Sequence, residues 1–225
     1  VTPCIHSDLM VPAYSEIVLE GELLANEREK EGPFAEFTNY ACYRSTENLF
    51  RVTAIRYREN AIYHDLTPGM SSEHITVVAI QREGDVLKAL HQNLPNIKAV
   101  HAPNSACGLF HCYISMKKIA EGQPQQAIYT AFAVDHNIKM VIVVDEDVDV
   151  YNEEEVLWAL ATRLQADHGV SILPQHLGMG VTLDPSTDEL SRSSKMGIDA
   201  TKPLSGFAPK IEMDANVEEA VKRLH

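Results

Sequence analysis

The chain has 225 residues, 45% of them hydrophobic and 23% charged, enough apolar material to bury a core in one large domain or two small ones. Nineteen basic against 32 acidic residues give a formal charge of -13, which argues against a phosphate backbone or an anionic membrane as partner, since both are met by clustered Lys and Arg. No run approaches the uncharged apolar length of a membrane-spanning helix, and residues 1–20 lack the basic-then-apolar order of a signal peptide, so a cytoplasmic location is expected.

The first residues, Val1-Thr-Pro-Cys, carry no initiator Met and run directly into a strand-like pattern, so they are expected to continue an upstream polypeptide. Residues 11–24 alternate apolar and polar side chains through Ser15-Glu-Ile-Val-Leu-Glu-Gly-Glu-Leu, and Phe50-Arg-Val-Thr-Ala-Ile-Arg-Tyr does so again. Period-two alternation predicts half-buried antiparallel strands. A turn at Arg58-Glu-Asn60 then leads to a third expected strand, Ala61–Leu66, and Thr67-Pro-Gly69 marks a boundary. Residues 1–67 thus form a first unit, a β-meander or the end of a barrel.

Beyond Ser72 the period changes. Glu73–Leu94 is predicted helical with an interruption near Gly84, its stripe formed by Leu87, Leu90 and Leu94. Strands are expected at Ile97–His101, Leu109–Ser115 and Lys139–Val144, and helices at Gln123–Asp135 and Asn152–Leu164. The last of these opens with Glu153, Glu154 and Glu155, where the helix dipole favours anions. Residues 177–204 read as loop, followed by a final helix near Asp214–Leu224. The order predicts an α/β (mixed α+β) domain over residues 68–225, a mixed sheet covered by helices. Four cysteines in a chain of this length predict free thiols rather than a disulfide framework.

Glu31 and Glu36 flank Gly32-Pro33-Phe34-Ala35. Five residues along a regular strand point to opposite faces, but Gly-Pro favours a turn that lets both carboxylates approach one cavity. Two adjacent carboxylates raise the proton affinity of one of them, yielding an acid beside a charged base at neutral pH. On spacing alone, a solvated acidic loop is the preferred reading. The run Val11-Pro-Ala-Tyr-Ser-Glu-Ile-Val-Leu-Glu-Gly-Glu-Leu, followed by Glu31-Gly-Pro-Phe-Ala-Glu36, resembles the paired signature of the UbiD decarboxylase family. Val143-Val-Asp-Glu-Asp-Val-Asp-Val-Tyr151 and Lys195-Met-Gly-Ile-Asp-Ala-Thr-Lys-Pro203 resemble its later landmarks, in the expected order.

That resemblance covers nearly the whole chain. It implies the C-terminal part of a reversible decarboxylase of aromatic or unsaturated carboxylic acids, with strands up to residue 67 ending a split β-barrel cofactor domain. It further implies prenylated FMN held with Mn²⁺ and K⁺, a flavin prenyltransferase as cofactor supplier, and a homo-oligomer. By the same resemblance, Glu36 is the acid-base group, Glu31 orients it, and Phe37 and the region of His176 shape the substrate pocket. The family's catalytic Arg and its Asn, His and Glu metal ligands lie upstream of the signature, so no metal ligands are expected in this chain and its flavin-binding residues are unknown. Ala35 stands where the family usually has Gly. Residues 131–135 lack a cofactor-contacting Lys of fungal relatives, which places the resemblance nearer to bacterial enzymes of aromatic and heteroaromatic acids.

Rival readings use other residues. Asp145-Glu-Asp147 after a buried strand matches the DxD of a metal-dependent transferase, but these short acids are better read as capping the helix at Asn152. Cys107, His111 and Cys112, with His101, offer zinc-type ligands, yet adjacent residues on a strand face opposite ways, and packing is the expected role. Among the histidines, His64, His74 and His176 are the ones to watch as pocket residues. The alternative to an enzyme is a non-catalytic oligomerisation module of one.

Overall fold

The computed structural model describes residues 1–43 and 46–211. The helix expected at Asp214–Leu224 lies outside the described residues. No helix among them is long and apolar enough to cross a membrane.

The N-terminal part is built from two-stranded ladders. β1 (Thr2–Pro3) pairs with β2 (Met10–Val11), and β3 (Ile17–Arg28) pairs antiparallel with β6 (Asn48–Tyr57), while β4 (Phe34–Ala35) and β5 (Ala41–Cys42) form a small ladder inserted between β3 and β6. Across β3 and β6 the partners Ile17 and Tyr57, Leu19 and Ile55, Gly21 and Val52, and Leu23 and Phe50 stand opposite one another. Directly opposed residues share a face, so the hairpin carries one apolar face, and that face is exposed, with Leu23 at 70% and Tyr57 at 75%. The opposite face buries Glu20, whose carboxylate accepts the amide protons of Ile5 and His6 and pairs with Arg56 at 3.1 Å. The third strand expected at residues 61–66 is absent. Glu16 takes the Arg58 guanidinium and the Ile62 amide instead, so the chain is held off the edge of β6.

The second part is a five-stranded mixed sheet. β7 (Ile97–His101) is antiparallel to β8 (His111–Met116), β9 (Met140–Asp145) is parallel to β8, β11 (Arg192–Ala200) is parallel to β9, and β10 (Val170–Leu177) closes the sheet antiparallel to β11. Helices α1 (Ser72–His91) and α2 (Gln123–Val134) cover one face over a core that includes Leu90, Ile114, Ile128 and Val143, while α3 (Glu153–Arg163) covers the other over Ile142, Val144 and Ile198. The one-turn α4 (Ala166–Gly169) leads into β10. α1 runs unbroken through Gly84, because burial of Val86 and Leu90 outweighs the roughly 1 kcal/mol that a glycine costs a helix.

β11 corrects the expected loop over residues 177–204. It lies second from the edge, buried on both sides, although its sequence is polar. Lys195, 2% exposed, is accommodated by donating to the carbonyls of His136 and Ile138 at 2.6 Å each.

Asp145 and Asp147 are also reassigned. Asn152 caps α3 through the Glu154 amide; the two aspartates instead clamp the buried Arg163 guanidinium, which donates to Asp145 at 2.7 Å and to both oxygens of Asp147 at 2.9 and 3.0 Å. Lys202 adds its backbone amide to Asp145 and its ammonium to Asp147. These carboxylates are spent, which leaves the DxD reading without free ligands. Burial alone would raise the Asp147 carboxyl, but the hydrogen bonds from Arg163 and Lys202 outweigh it and hold the group at about 2.

A carboxyl depressed in the folded state contributes stability above its ordinary value near 3.8 and loses it as pH falls through about 2. Asp147→Asn is therefore expected to lower stability at neutral pH by about 2 kcal/mol and to flatten the acid limb between about pH 4 and 2 in a circular-dichroism unfolding series; an unchanged acid limb would refute the assignment.

Candidate active site

The segment carrying Glu31 and Glu36 bends because residue 32 is glycine. Gly32 has φ of +93°, and a Cβ there would lie 2.8 Å from the carbonyl oxygen of Cys42, so a side chain is excluded both by conformation and by space. The Gly32–Pro33 bond is cis. Ala35 sits in extended β4 opposite Ala41, a conformation open to any residue, so its departure from glycine does not disturb the turn. Glu31 is exposed and Glu36 half-buried; neither carboxylate makes a hydrogen bond or ion pair among the described residues.

After Glu36 the chain makes a tight loop, with the Glu36 amide donating to Tyr40 and the Asn39 amide to Glu36. The loop docks on the sheet domain at two points. Phe37 lies 6.3 Å from His74 in an edge-on contact and 5.9 Å from Phe110, and the Thr38 hydroxyl donates to the Leu183 carbonyl at 2.9 Å. The segment 179–187 is held over this junction by Lys139, whose ammonium donates to Asp184 at 2.8 Å and lies 5.0 Å from the Phe110 ring. Burial would raise the Asp184 carboxyl, but Lys139 and Ser186 bond to it and keep it low.

These contacts enclose a pocket of about 180 Å³. Phe37 forms one wall, His74, Ile75, Val78 and Arg82 of α1 another, and Cys107, Leu109 and Met179 the remainder. Ser71 caps α1 through the His74 amide, which sets the first turn and hence the position of His74. Asn104–Ala106 is a single 3₁₀ turn ending in two left-handed residues, Cys107 at +61° and Gly108 at +60°. A Cβ on Gly108 would fall 2.2 Å from Ile75 Cγ2, so glycine is what lets α1 close on this turn. Arg82 forms a close ion pair with Asp135. Burial, reinforced by Asp184, pushes the Cys107 thiol up, so it stands neutral.

Of the residues singled out from sequence, Phe37 and His74 line this pocket and Glu36 adjoins it through Phe37. His64 and His176 are exposed; His176 sits at the irregular stretch of β10, its Nδ1 3.1 Å from the Pro174 carbonyl, and does not line the pocket. Met179, Arg82, Lys139 and Asp184 gave no local signal, since loop packing and long-range ion pairs leave no period in a sequence. Cys112 is buried, its thiol pushed up to about 12 by burial, and no group of three or more His, Cys, Asp or Glu among the described residues is placed to hold a metal ion. All four cysteines are free.

Comparison with known proteins matches residues 1–71 to the model of the 3-octaprenyl-4-hydroxybenzoate carboxy-lyase Rift-related domain and residues 75–200 to that of the C-terminal domain. The chain is 34% identical over 202 residues to the anhydromevalonate phosphate decarboxylase of Methanothermobacter thermautotrophicus, covering 90% of this chain and 47% of that protein. It is 36% identical over 204 residues to the phenolic acid decarboxylase of Bacillus subtilis, covering 88% and 42%. The structure of the UbiD-class enzyme HmfF from Pelotomaculum thermopropionicum in complex with FMN superposes with a TM-score of 0.85 at 37% identity, over 96% of this chain and 48% of that one. The chain thus spans about half the length of the relatives it matches.

Gly108→Ala is expected to lower thermal stability by about 1–3 kcal/mol, combining a strained left-handed residue with overpacking against Ile75; a wild-type melting temperature would show that α1 does not rest on this turn.

Proposed function

Because the chain belongs to the UbiD family of carboxy-lyases, we propose that it forms the C-terminal part of a non-oxidative, reversible decarboxylase acting on aromatic, heteroaromatic or α,β-unsaturated carboxylic acids with prenylated FMN. The observation that carries this reading is that one short loop presents Glu36 and, one residue later, gives Phe37 to a pocket whose walls are mostly apolar. Such a pocket suits the unsaturated part of an acid, and a half-buried carboxyl beside it suits proton transfer.

When bound, prenylated FMN supplies the electron sink. The chain supplies the proton and the geometry: Glu36 donates to the carbon that has lost CO₂, Glu31 orients and tunes it across the Gly32–Pro33 turn, and Phe37 packs against the substrate. We assign the flavin phosphate, Mn²⁺ and K⁺ chiefly to the remainder of a longer polypeptide; in the hairpin region Arg51, Arg56 and Arg58 pair with Glu27, Glu20 and Glu16. No step is derived through them.

The same reading divides the chain into the end of the flavin domain at residues 1–67 and an α/β domain at 68–225. The exposed apolar face of β3 and β6 supports an upstream segment as its cover, because a lone two-stranded ladder is marginal in water. This chain alone is accordingly proposed to be inactive, an assembly module until joined to that segment. A cytoplasmic homo-oligomer, supplied with cofactor by a flavin prenyltransferase, completes the proposal; an evolved form of the relative HmfF is dimeric.

In the full-length polypeptide loaded with cofactor, Glu36→Gln is expected to lower both CO₂ release and hydrogen–deuterium exchange of the product by about 10²–10⁴-fold while the acid still binds. Retained turnover would remove Glu36 from the acid-base role.

A further inference from the structure

We propose that Lys139 and Asp184 are a positioning pair for proton transfer: by pinning the segment 179–187 to the sheet, they hold the Leu183 carbonyl where it anchors the loop that carries Glu36. This deepens the decarboxylase reading and rests on it, because the step concerned is the protonation assigned to Glu36.

The Glu36 carboxylate makes no hydrogen bond or ion pair among the described residues, so its place is set by its backbone. The loop has two internal ties, the Glu36 amide to the Tyr40 carbonyl and the Asn39 amide to the Glu36 carbonyl. It has two external ones, the Phe37 ring against His74 and Phe110 and the Thr38 hydroxyl on Leu183. Ring contacts tolerate small slides, whereas a hydrogen bond weakens steeply as its angle opens. The buried Thr38 hydroxyl, donating at 2.9 Å, is therefore the directional tie of the loop to the sheet domain.

The acceptor end of that tie has no strand or helix of its own. Residues 179–187 run in turns between β10 and β11, closed by the Leu183 and Asp184 amides on the Gly180 carbonyl and by the Thr187 amide and hydroxyl on that of Asp184. Those bonds shape the segment without attaching it to the sheet. Its ionic attachment is Asp184, the residue after Leu183, which takes the Lys139 ammonium at 2.8 Å together with the Ser186 amide and hydroxyl. Lys139 is a firm post for it, since its own amide donates to the Phe110 carbonyl at 2.8 Å and its carbonyl accepts the Met196 amide at 2.9 Å.

Removing either partner leaves the other partly buried and unpaired, and no second ion pair among the described residues holds 179–187 in place. The displacement passes to Glu36 through Leu183 and Thr38. A misplacement of about 1 Å is enough to cost about 10²-fold in rate.

The test uses the full-length, cofactor-loaded polypeptide, with benzoate, 4-hydroxybenzoate and 2-furoate as the acids. Asp184→Ala and Lys139→Met are each expected to lower kcat by about ten- to a hundredfold, with a smaller change in KM, and the double variant to be no slower than the worse single one. The solvent deuterium isotope effect on kcat should rise, because proton donation from a displaced Glu36 becomes the slow step; a smaller folded fraction would leave it unchanged. Thr38→Val, which removes the tie while keeping the shape of the side chain, should reproduce both changes. A lowered kcat with an unchanged isotope effect, additive losses in the double variant, or a wild-type kcat in Thr38→Val overturns the proposal while the decarboxylase reading stands.

Hydrogen exchange read by mass spectrometry gives a second readout that needs no turnover. In Asp184→Ala the amides of residues 36–40 are expected to exchange faster along with those of 179–187, although the loop itself is unaltered. In Thr38→Val, which keeps the buried ion pair and so the fold, those of 36–40 should do the same. Exchange at 36–40 that stays at the wild-type rate overturns the coupling. Faster exchange there, in a wild-type enzyme that decarboxylates none of the acids, supports the anchoring and overturns the decarboxylase reading alone.

Discussion

The ring of Phe37 rests against His74 and Phe110, and next to it the Thr38 hydroxyl donates to the carbonyl of Leu183. Through these contacts the loop that carries Glu36 is seated on the sheet domain. The pocket exists because of that seating: one wall comes from the loop itself, another from α1, and a third from the segment at Met179. An edge-on aromatic pair adds only about 0.5–1.5 kcal/mol beyond the area it buries. Its importance here is positional, since it determines where the carboxylate of the preceding residue can stand.

The supports of this junction are long-range and mostly ionic. Lys139, at the start of β9, holds Asp184 and with it the segment that covers Phe110. On the opposite side of the sheet, Arg163 gathers Asp145, Asp147 and Lys202, tying the end of α3 to the chain that leaves β11. A buried guanidinium is tolerable only when its donors meet carboxylates, and removing one partner of such a set exposes the full desolvation cost of the other. Asp145 and Asp147 are therefore structural, their charge met by Arg163 and Lys202.

The hairpin of β3 and β6 has a different character. It turns a row of opposed apolar side chains to the outside, and contiguous apolar faces of that kind mark interaction surfaces in soluble proteins. Together with the half-length match to the relatives, this marks the β3–β6 face as a surface suited to a partner segment.

Most elements were legible in the sequence because each rests on a local pattern: the alternation in β3 and β6, the buried run of β9, the change of period into α1 and the acidic first turn of α3. The bend at Glu31-Gly-Pro was legible too, since glycine is required where a side chain would strike the Cys42 carbonyl. β11 was not, because its polar residues are paid for by partners distant in sequence, such as the carbonyls of His136 and Ile138 that receive Lys195. Nor was the role of Asp145 and Asp147, whose partner Arg163 lies a helix away, or the exclusion of His176 and the inclusion of Met179 in the pocket. The sequence by itself determined the family, the element order and the carboxylates flanking the turn, because those are written in residue type and spacing. Only the tertiary structure decided which side chains meet around a cavity, because that depends on how a loop, a helix and a distant segment pack against one ring.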